Sequence, residues 1–110
     1  MDRIEVQKKS VERFINQEAK KKPTAGITYH VVINADRTEY LLLHLGWLDN
    51  KYIHLVAFHF ELKNDKVYVH KNASDRDIGG LLVEEGVAKE DIVLGFIPVV
   101  VRGFSEFGVG

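Results

Sequence analysis

The sequence predicts an α+β domain in which two helices pack on a single antiparallel β-sheet of four to five strands. Four stretches with strand patterning lie between residues 27 and 70, and only short polar turns separate them. Connections this short cannot join parallel strands, because a parallel crossover needs about a dozen residues. Helical patterning precedes and follows these strands. At 110 residues the chain is long enough for one domain, residues 1–110, and too short for two.

A first helix is predicted over residues 2–21, which are rich in good helix formers. Asp2 is the expected N-cap, and Pro23 ends the helix. The apolar side chains that fall broadly on one side are Ile4, Val11, Phe14, Ile15 and Ala19.

The predicted sheet is a meander centred on an apolar hairpin, residues 40–62, with a polar turn at residues 49–51. One strand precedes the hairpin at residues 27–34 and connects through residues 35–37 to the arm at 38–47. A fourth strand at residues 66–70 follows the tight turn at Asn64-Asp65. Because isolated hairpins are marginal in water, the central pair needs cover on at least one face.

A second helix is predicted over residues 75–85, with Ser74 or Asp75 as its cap and Gly86 at its C-terminal end. Gly79 and Gly80 lie inside it and cost about 1 kcal/mol each relative to alanine. We expect a close approach of this helix to the sheet, or a kink, to account for them. Residues 89–91 form a single turn, residues 92–96 are buried, and the tail from residue 99 to 110 lies extended against the sheet or another subunit.

Composition excludes several classes of protein. The formal net charge of −1 argues against a general nucleic-acid or membrane-surface binder. The chain has no cysteine, which excludes disulfides, thiol nucleophiles and cysteine-type zinc sites. Its N-terminus is charged, and no apolar run approaches the roughly 18 residues of a membrane helix. We expect a soluble cytoplasmic protein.

No catalytic set is recognisable, so we expect a protein that is not an enzyme and has no cofactor. No serine lies in a G-x-S-x-G turn, and Gly79-Gly80 lacks the context of a phosphate loop. All five histidines fall on predicted strands, and His44 and His54 are possible cross-strand neighbours. A metal site needs converging ligands with short spacings. The spacing therefore favours histidines satisfied by the backbone or by tyrosines over a metal site.

The aromatic side chains are divided between core and surface. Alternation places Tyr52, Phe58 and Phe60 on one side of their strand, and we expect most of that side to be core. Trp47, at a strand end beside a turn, is the better candidate for an exposed contact.

Two stretches carry specific motifs, Y-L-L-L-H-L-G-W at residues 40–47 and K-E-D-I-V-L-G-F at residues 89–96. Both resemble the XisI-like family, the fdxN element excision controlling factors of cyanobacteria. Further matches are H-F-E-L at residues 59–62, K-V-Y-V at 66–69, residues 78–87, Arg102 and S-E-F at 105–107, so the resemblance covers roughly residues 1–107. The chain departs from the family pattern at Ala88, where a proline is usual, and at Ile97-Pro98-Val99, where His-Pro-Pro is usual. The histidine of His-Pro-Pro is replaced by Ile97 here, so a role of that histidine in the family does not carry over to this chain.

The resemblance implies an accessory factor in the excision of a DNA element during heterocyst differentiation. Such proteins act with a separate site-specific recombinase and with a XisH-like partner that resembles a nuclease fold. If both helices cover one face of the sheet, the other face keeps an apolar patch, which predicts an interface. We therefore expect a homodimer or higher homo-oligomer, or a complex with the XisH-like protein. The candidate partner contacts are Trp47, Phe104 and Phe107.

Two alternatives stay open at this point. The first is a protein that contacts DNA through its basic N-terminal helix, with affinity that falls steeply with salt. Its candidate residues are Lys8, Lys9, Arg13, Lys20, Lys21 and Lys22. The second is a metal-dependent or small-molecule enzyme built on the strand histidines.

Overall fold

The structure, a computed structural model, describes residues 2–110. The elements in chain order are α1 (Arg3–Ala19), β1 (Ile27–Ile33), β2 (Glu39–Leu48), β3 (Lys51–Lys63), β4 (Lys66–Asn72), α2 (Ile78–Glu85), β5 (Ile92–Leu94) and a short helix α3 (Val99–Arg102). The strands form one sheet in the order β1-β2-β3-β4-β5. The α+β prediction and the antiparallel meander of the first four strands are confirmed.

The fifth strand differs from the other four because it runs parallel to β4. The chain passes through α2 between these two strands, and a parallel pair requires such a crossover. Ile92 and Val93 of this strand are fully buried, whereas Phe96, which is also predicted from the sequence to be buried, is 51% exposed.

The core lies between α1, α2 and one face of the sheet. The ring of Phe14 meets Phe58 and Phe60 edge to face, with centroids 5.3 and 5.7 Å away. Val11 and Ile15 of α1 are fully buried, as expected, whereas Ile4 is 45% exposed. Ile4 was predicted on the apolar side, but it lies in the first turn of α1, beside the β3–β4 turn at the rim of the sheet.

Polar contacts fix the orientation of α1 on this core. The buried Gln7 side chain donates from Nε2 to the carbonyl of Asp65, at 2.7 Å, in the β3–β4 turn. The buried Ser10 hydroxyl donates to the carbonyl of Glu85, at 2.9 Å, at the end of α2. One face of α1 is thereby attached to both a strand turn and the second helix.

The two tight turns of the meander have the backbone expected for two-residue hairpins. Asp49 and Asn50 have φ of 50° and 67°, and Asn64 and Asp65 have φ of 54° and 59°. Asn and Asp tolerate these left-handed values better than other residues with a side chain, and such turns match the twist of the strands they join.

The second helix begins later than the sequence predicts. Asp77 is its N-cap and accepts from the backbone N–H of Gly80 at 3.2 Å. Ser74 instead hydrogen-bonds Asn72 in the preceding turn, with Oγ to Oδ1 at 2.6 Å. The prediction of Ser74 or Asp75 as the cap is wrong because these residues belong to that turn. The predicted end is confirmed, since Gly86 caps the helix with φ of 118°.

The interior glycine Gly79 makes room for the C-terminal segment rather than for the sheet. A Cβ at this position would overlap the ring of Phe107. The prediction that the segment from residue 99 to 110 is extended is wrong at its start, because residues 99–102 form a helical turn. The segment returns to the sheet at Gly108, whose N–H donates to the carbonyl of Ile92 at 2.6 Å. Within residues 2–110, none of the helices combines the length and apolarity needed to cross a membrane.

Candidate interaction surface

The face of β1–β3 opposite the helices is uncovered and is here called the open face. An apolar stripe of leucines and valines runs across it. The side chains on this face are Thr28, His30, Val32, Leu41, Leu43, Leu45, Trp47, Tyr52, His54 and Val56. Cross-strand pairing brings Leu41 beside Val32 and Leu43 beside both His30 and Val56. Val32 is 46% exposed and the three leucines are half-buried. An apolar stripe of this kind is typical of an interaction site.

A β-bulge determines which side chains of β3 reach the open face. Leu42 pairs with Phe58 and Leu43 pairs with Val56, so Ala57 is an extra residue in β3. The bulge reverses the alternation, because one extra residue moves each following side chain to the other face. Phe58 and Phe60 are core residues, as predicted. Placing Tyr52 with them was wrong, and Tyr52, His54 and Val56 are open-face residues that sequence reasoning assigned to the core side.

The tip of the β2–β3 hairpin presents two aromatic side chains. Trp47 and Tyr52 are paired across the strands, with ring centroids 5.3 Å apart and an interplanar angle of 63°. They are 62% and 55% exposed, which confirms that Trp47 is accessible. The backbone N–H of Trp47 donates to the carbonyl of Gly26 at 3.1 Å, which ties the tip to the start of β1.

Beside the open face, β2, β3 and β4 contribute two His–Glu pairs. His59 Nε2 lies 2.8 Å from Glu39 Oε1, and His70 Nε2 lies 2.8 Å from Glu61 Oε1. The two imidazole rings are 5.0 Å apart between centroids. The hydrogen bond from His70 lowers the pKa of the Glu61 carboxyl below its ordinary value, and this effect outweighs the opposing effect of burial.

The remaining histidines have other neighbours. His30 lies 2.8 Å from the Thr28 hydroxyl. His44 stacks on Tyr29, with centroids 4.3 Å apart, and burial lowers its pKa. His44 faces the helices and His54 faces the open side, so the expectation that they are cross-strand neighbours is wrong. Residues 2–110 contain no group of three His, Cys, Asp or Glu side chains placed to hold a metal ion.

A groove of about 230 Å³ opens on the helix side, between the end of α1, the loop before α2 and the hairpin. Arg76 lies across its rim and donates from Nη2 to Glu18 Oε1 at 2.5 Å. Its guanidinium carbon lies 5.8 Å from the centroid of Phe58 and 6.0 Å from that of Phe14. Lys21 reaches the other oxygen of Glu18 at 2.9 Å. Arg76 therefore joins α1 to the loop through a half-buried ion pair that no local sequence pattern indicates.

The C-terminal segment places the two predicted contact phenylalanines differently. Phe104 is 90% exposed, and its backbone N–H donates to the carbonyl of Val101 in α3 at 3.1 Å. Phe107 is half-buried against Gly79 and packs on the core cluster. Its packing gives it a structural role, and its role in assembly stays a prediction. The chain end at Gly110 lies near Tyr68 and Val93, so this end of the sheet is covered and the open face is confined to β1–β3.

The basic residues predicted for DNA contact do not form a single free surface. Arg13 donates from Nη2 to the Glu85 carbonyl at 2.6 Å, where a cation compensates the C-terminal end of α2. Lys21 is paired with Glu18. Lys9, Lys20 and Lys22 are exposed, and Lys8 is half-buried.

Comparison with known proteins gives a consistent result. The family model described as XisI protein matches residues 1–109. The fold is similar to a solved XisI-like protein from Anabaena variabilis ATCC 29413, with a TM-score of 0.87 and 25% identity over 99% of this chain and 100% of that one. It is also similar to the fdxN element excision controlling factor XisI from the same organism, with a TM-score of 0.81 and 21% identity over 99% and 100% of the two chains. Among curated protein sequences, none matches the chain.

Proposed function

The chain belongs to the XisI protein family, and on that premise we propose that it is a controlling factor in the excision of a DNA element. It acts by binding a XisH-like protein, while strand cutting belongs to a separate recombinase. In this proposal the chain contributes a binding surface and no catalytic residue.

The observation that carries the partner contact is the open face. Its leucines and valines form a stripe across three strands, and the opposite face of the same strands is filled by α1. Removing such a stripe from water is favourable by about 25 cal/mol for each Å² buried. A partner with a complementary apolar surface therefore gains affinity there without any rearrangement of the fold.

The pair of Trp47 and Tyr52 is the expected centre of affinity at one end of this face. Exposed aromatic side chains that are already held in place lose little conformational freedom on binding, and tryptophan and tyrosine are enriched among the residues that dominate interface energetics. Here the edge-to-face contact with Tyr52 orients the indole, and the backbone bond from Trp47 to Gly26 holds the strand that carries it, before a partner arrives.

Light scattering on a sizing column tests the proposal directly. The chain is run alone and then mixed with a XisH-like protein from the same genome. We expect a mixed species whose mass is a sum of whole copies of both proteins. Separate elution of the two proteins at concentrations well above micromolar would contradict the proposal.

The alternative proposal is direct contact with DNA through α1, supported by the exposed Lys9, Lys20 and Lys22. It predicts affinity for element-end DNA that falls steeply with salt, because each phosphate contact releases counterions. A variant with all three lysines changed to glutamine should then reduce the slope of log affinity against log salt by about three. Absent or salt-insensitive binding contradicts this alternative.

A further inference from the structure

The outer edge of β1 carries backbone groups that the sheet does not use. Trp47 donates its N–H to the carbonyl of Gly26, and Asn34 donates to that of Glu39, at 3.1 and 3.2 Å. In the register of β1 with β2, these two bonds place the N–H and C=O of even-numbered residues toward β2. The backbone groups of Ile27, Tyr29, Val31 and Ile33 therefore point away from the sheet. The N–H of Ile27 is the exception in being bonded already, to Thr24.

This edge lacks the features that normally prevent edge strands from pairing. Residues 24–35 contain no lysine, arginine, aspartate or glutamate, and the strand contains no proline. Protected edges are usually short, charged, interrupted by proline or covered by another segment. The opposite edge of the same sheet is covered, since Gly108 bridges to Val93 beyond β5. Within residues 2–110, β1 pairs with β2 alone.

We infer that two copies of this chain pair antiparallel through their β1 edges, with His30 of one copy opposite His30 of the other. A ladder forms only where outward-pointing residues face each other, so odd-numbered residues must lie opposite odd-numbered ones. Among the two-fold symmetric registers of this kind, the one centred on His30 overlaps all seven residues of β1. Each of its four pairs of odd-numbered residues can exchange two backbone hydrogen bonds. Because the Ile27 N–H of each copy is already bonded to Thr24, roughly six of these bonds form.

The side chains fit a second copy of the same strand. On the helix side, Ile27 lies opposite Ile33 and Tyr29 opposite Val31, in both halves of the symmetric pair. On the open side, Thr28 lies opposite Val32. The pairs combine aromatic or branched side chains, which are favourable cross-strand partners, and no like charges oppose each other. The strand is thus complementary to itself, which identifies the occupant as another copy.

This pairing is independent of the proposed function, because it uses the edge of the sheet and not its open face. It joins the two sheets into one and makes the two open faces neighbours. The strand pairing can therefore form without a mixed complex with a XisH-like protein, and the mixed complex can form without the strand pairing.

A single cysteine reports the register, because the chain has no cysteine of its own. In the inferred dimer, the His30 residues of the two copies form a non-hydrogen-bonded pair, and their Cα atoms lie about 4.5 Å apart. That separation suits a disulfide. The variant His30→Cys should therefore form a covalent dimer on mild oxidation of purified protein. The matched control is His54→Cys, an exposed histidine on the same face but on β3, which should stay a monomer in denaturing electrophoresis.

A charge at the same position tests the dimer without a covalent bond. The unmodified chain should scatter light as a dimer, at twice the chain mass. His30→Lys places two ammonium groups opposite each other and should reduce the mass to that of one chain, while His54→Lys stays dimeric. Far-UV circular dichroism of each variant establishes that the fold is kept. A monomeric unmodified chain overturns the inference, as does cross-linking of His54→Cys to the same extent as His30→Cys. Cross-linking of His30→Cys only to a XisH-like protein carrying a surface cysteine assigns the edge to that partner and overturns the second copy.

Discussion

Trp47 and Tyr52 lie edge to face across the β2–β3 ladder, 5.3 Å between ring centroids, with more than half of each side chain exposed. The two rings expose apolar surface at the hairpin tip, and no other segment within residues 2–110 covers this surface. Trp47 belongs to the open face by the regular alternation of β2, and Tyr52 belongs to it because the bulge at Ala57 lies between Tyr52 and the core residues of β3. The same bulge therefore determines both the core and the surface.

The first prediction concerns this pair. Trp47→Ala should weaken the complex with a XisH-like protein by about tenfold or more, because truncation of a tryptophan that dominates an interface costs about 2 kcal/mol or more of binding free energy. Stability should change little, since the side chain is exposed. Titration calorimetry measures the affinity. The control is Val83→Ala, which removes an exposed apolar side chain from α2 on the opposite side of the molecule. Equal affinity of both variants and the unmodified chain would exclude the hairpin tip from the interface.

A second prediction follows from the contact between Gly79 and Phe107. Gly79→Ala should destabilise the fold by about 2 kcal/mol, because its Cβ overlaps the phenylalanine ring. Phe107→Ala should also cost about 2 kcal/mol by removing a half-buried ring from the core. Urea unfolding of each variant gives these values.

The double variant distinguishes this packing from two independent effects. Once Phe107 is alanine, a Cβ at Gly79 meets no ring, and alanine is favoured over glycine inside a helix by about 1 kcal/mol. Gly79→Ala should then be neutral or stabilising, so the two changes are strongly non-additive. Additive losses would show that Phe107 does not restrict position 79.

The first two helices and the first four strands are predictable, in their order, because local signals agree with one another. Alternation marks β1, the Asn-Asp turns set the hairpins, and Asp2 and Gly86 cap the two helices where the sequence indicates. Each of these signals depends on residues within a few positions of each other. A fold can be predicted from one sequence where local signals agree in this way.

The features that the sequence does not reveal depend on distant residues. The bulge at Ala57 has no glycine to mark it, and it reverses the faces of β3 after a regular alternating run. The pair of Arg76 and Glu18 joins residues 58 positions apart. The tertiary contact of Phe107 with Gly79 likewise explains a helix glycine that local patterning attributes to the sheet.

A third prediction tests the start of α2. Asp77→Ala removes the side-chain acceptor for the Gly80 N–H and should lower the free energy of unfolding by about 1 kcal/mol. Asp75→Ala removes the same charge from an exposed residue in the preceding turn and should be nearly neutral. Thermal unfolding of both variants at neutral pH compares them. A larger loss for Asp75→Ala would move the cap to the position that the sequence alone suggested.

The last prediction concerns the ion pair that joins α1 to the loop before α2. Burial raises the pKa of the Glu18 carboxyl, but the hydrogen bonds from Lys21 and Arg76 together hold that pKa below its usual value of 4.5. A carboxyl whose pKa is lower in the folded state stabilises the fold above its unfolded pKa, and this contribution is lost as pH falls through the folded value. Glu18→Gln should therefore cost about 1–2 kcal/mol at pH 7. The gap to the unmodified chain should close as the pH falls below 4.5.

The chain offers a matched control for this prediction on the same helix. Glu12 pairs with Arg37 at 3.1 Å, but the Glu12 side chain is 38% exposed, against 11% for Glu18. Because water screens exposed pairs, Glu12→Gln should cost well under about 1 kcal/mol at any pH. Urea unfolding of the three proteins between pH 3 and pH 7 measures both effects. A constant difference between Glu18→Gln and the unmodified chain across that range would show that the charge of Glu18 does not contribute. The contacts of Arg76 with Phe14 and Phe58 would then be sufficient to hold the loop on the helix.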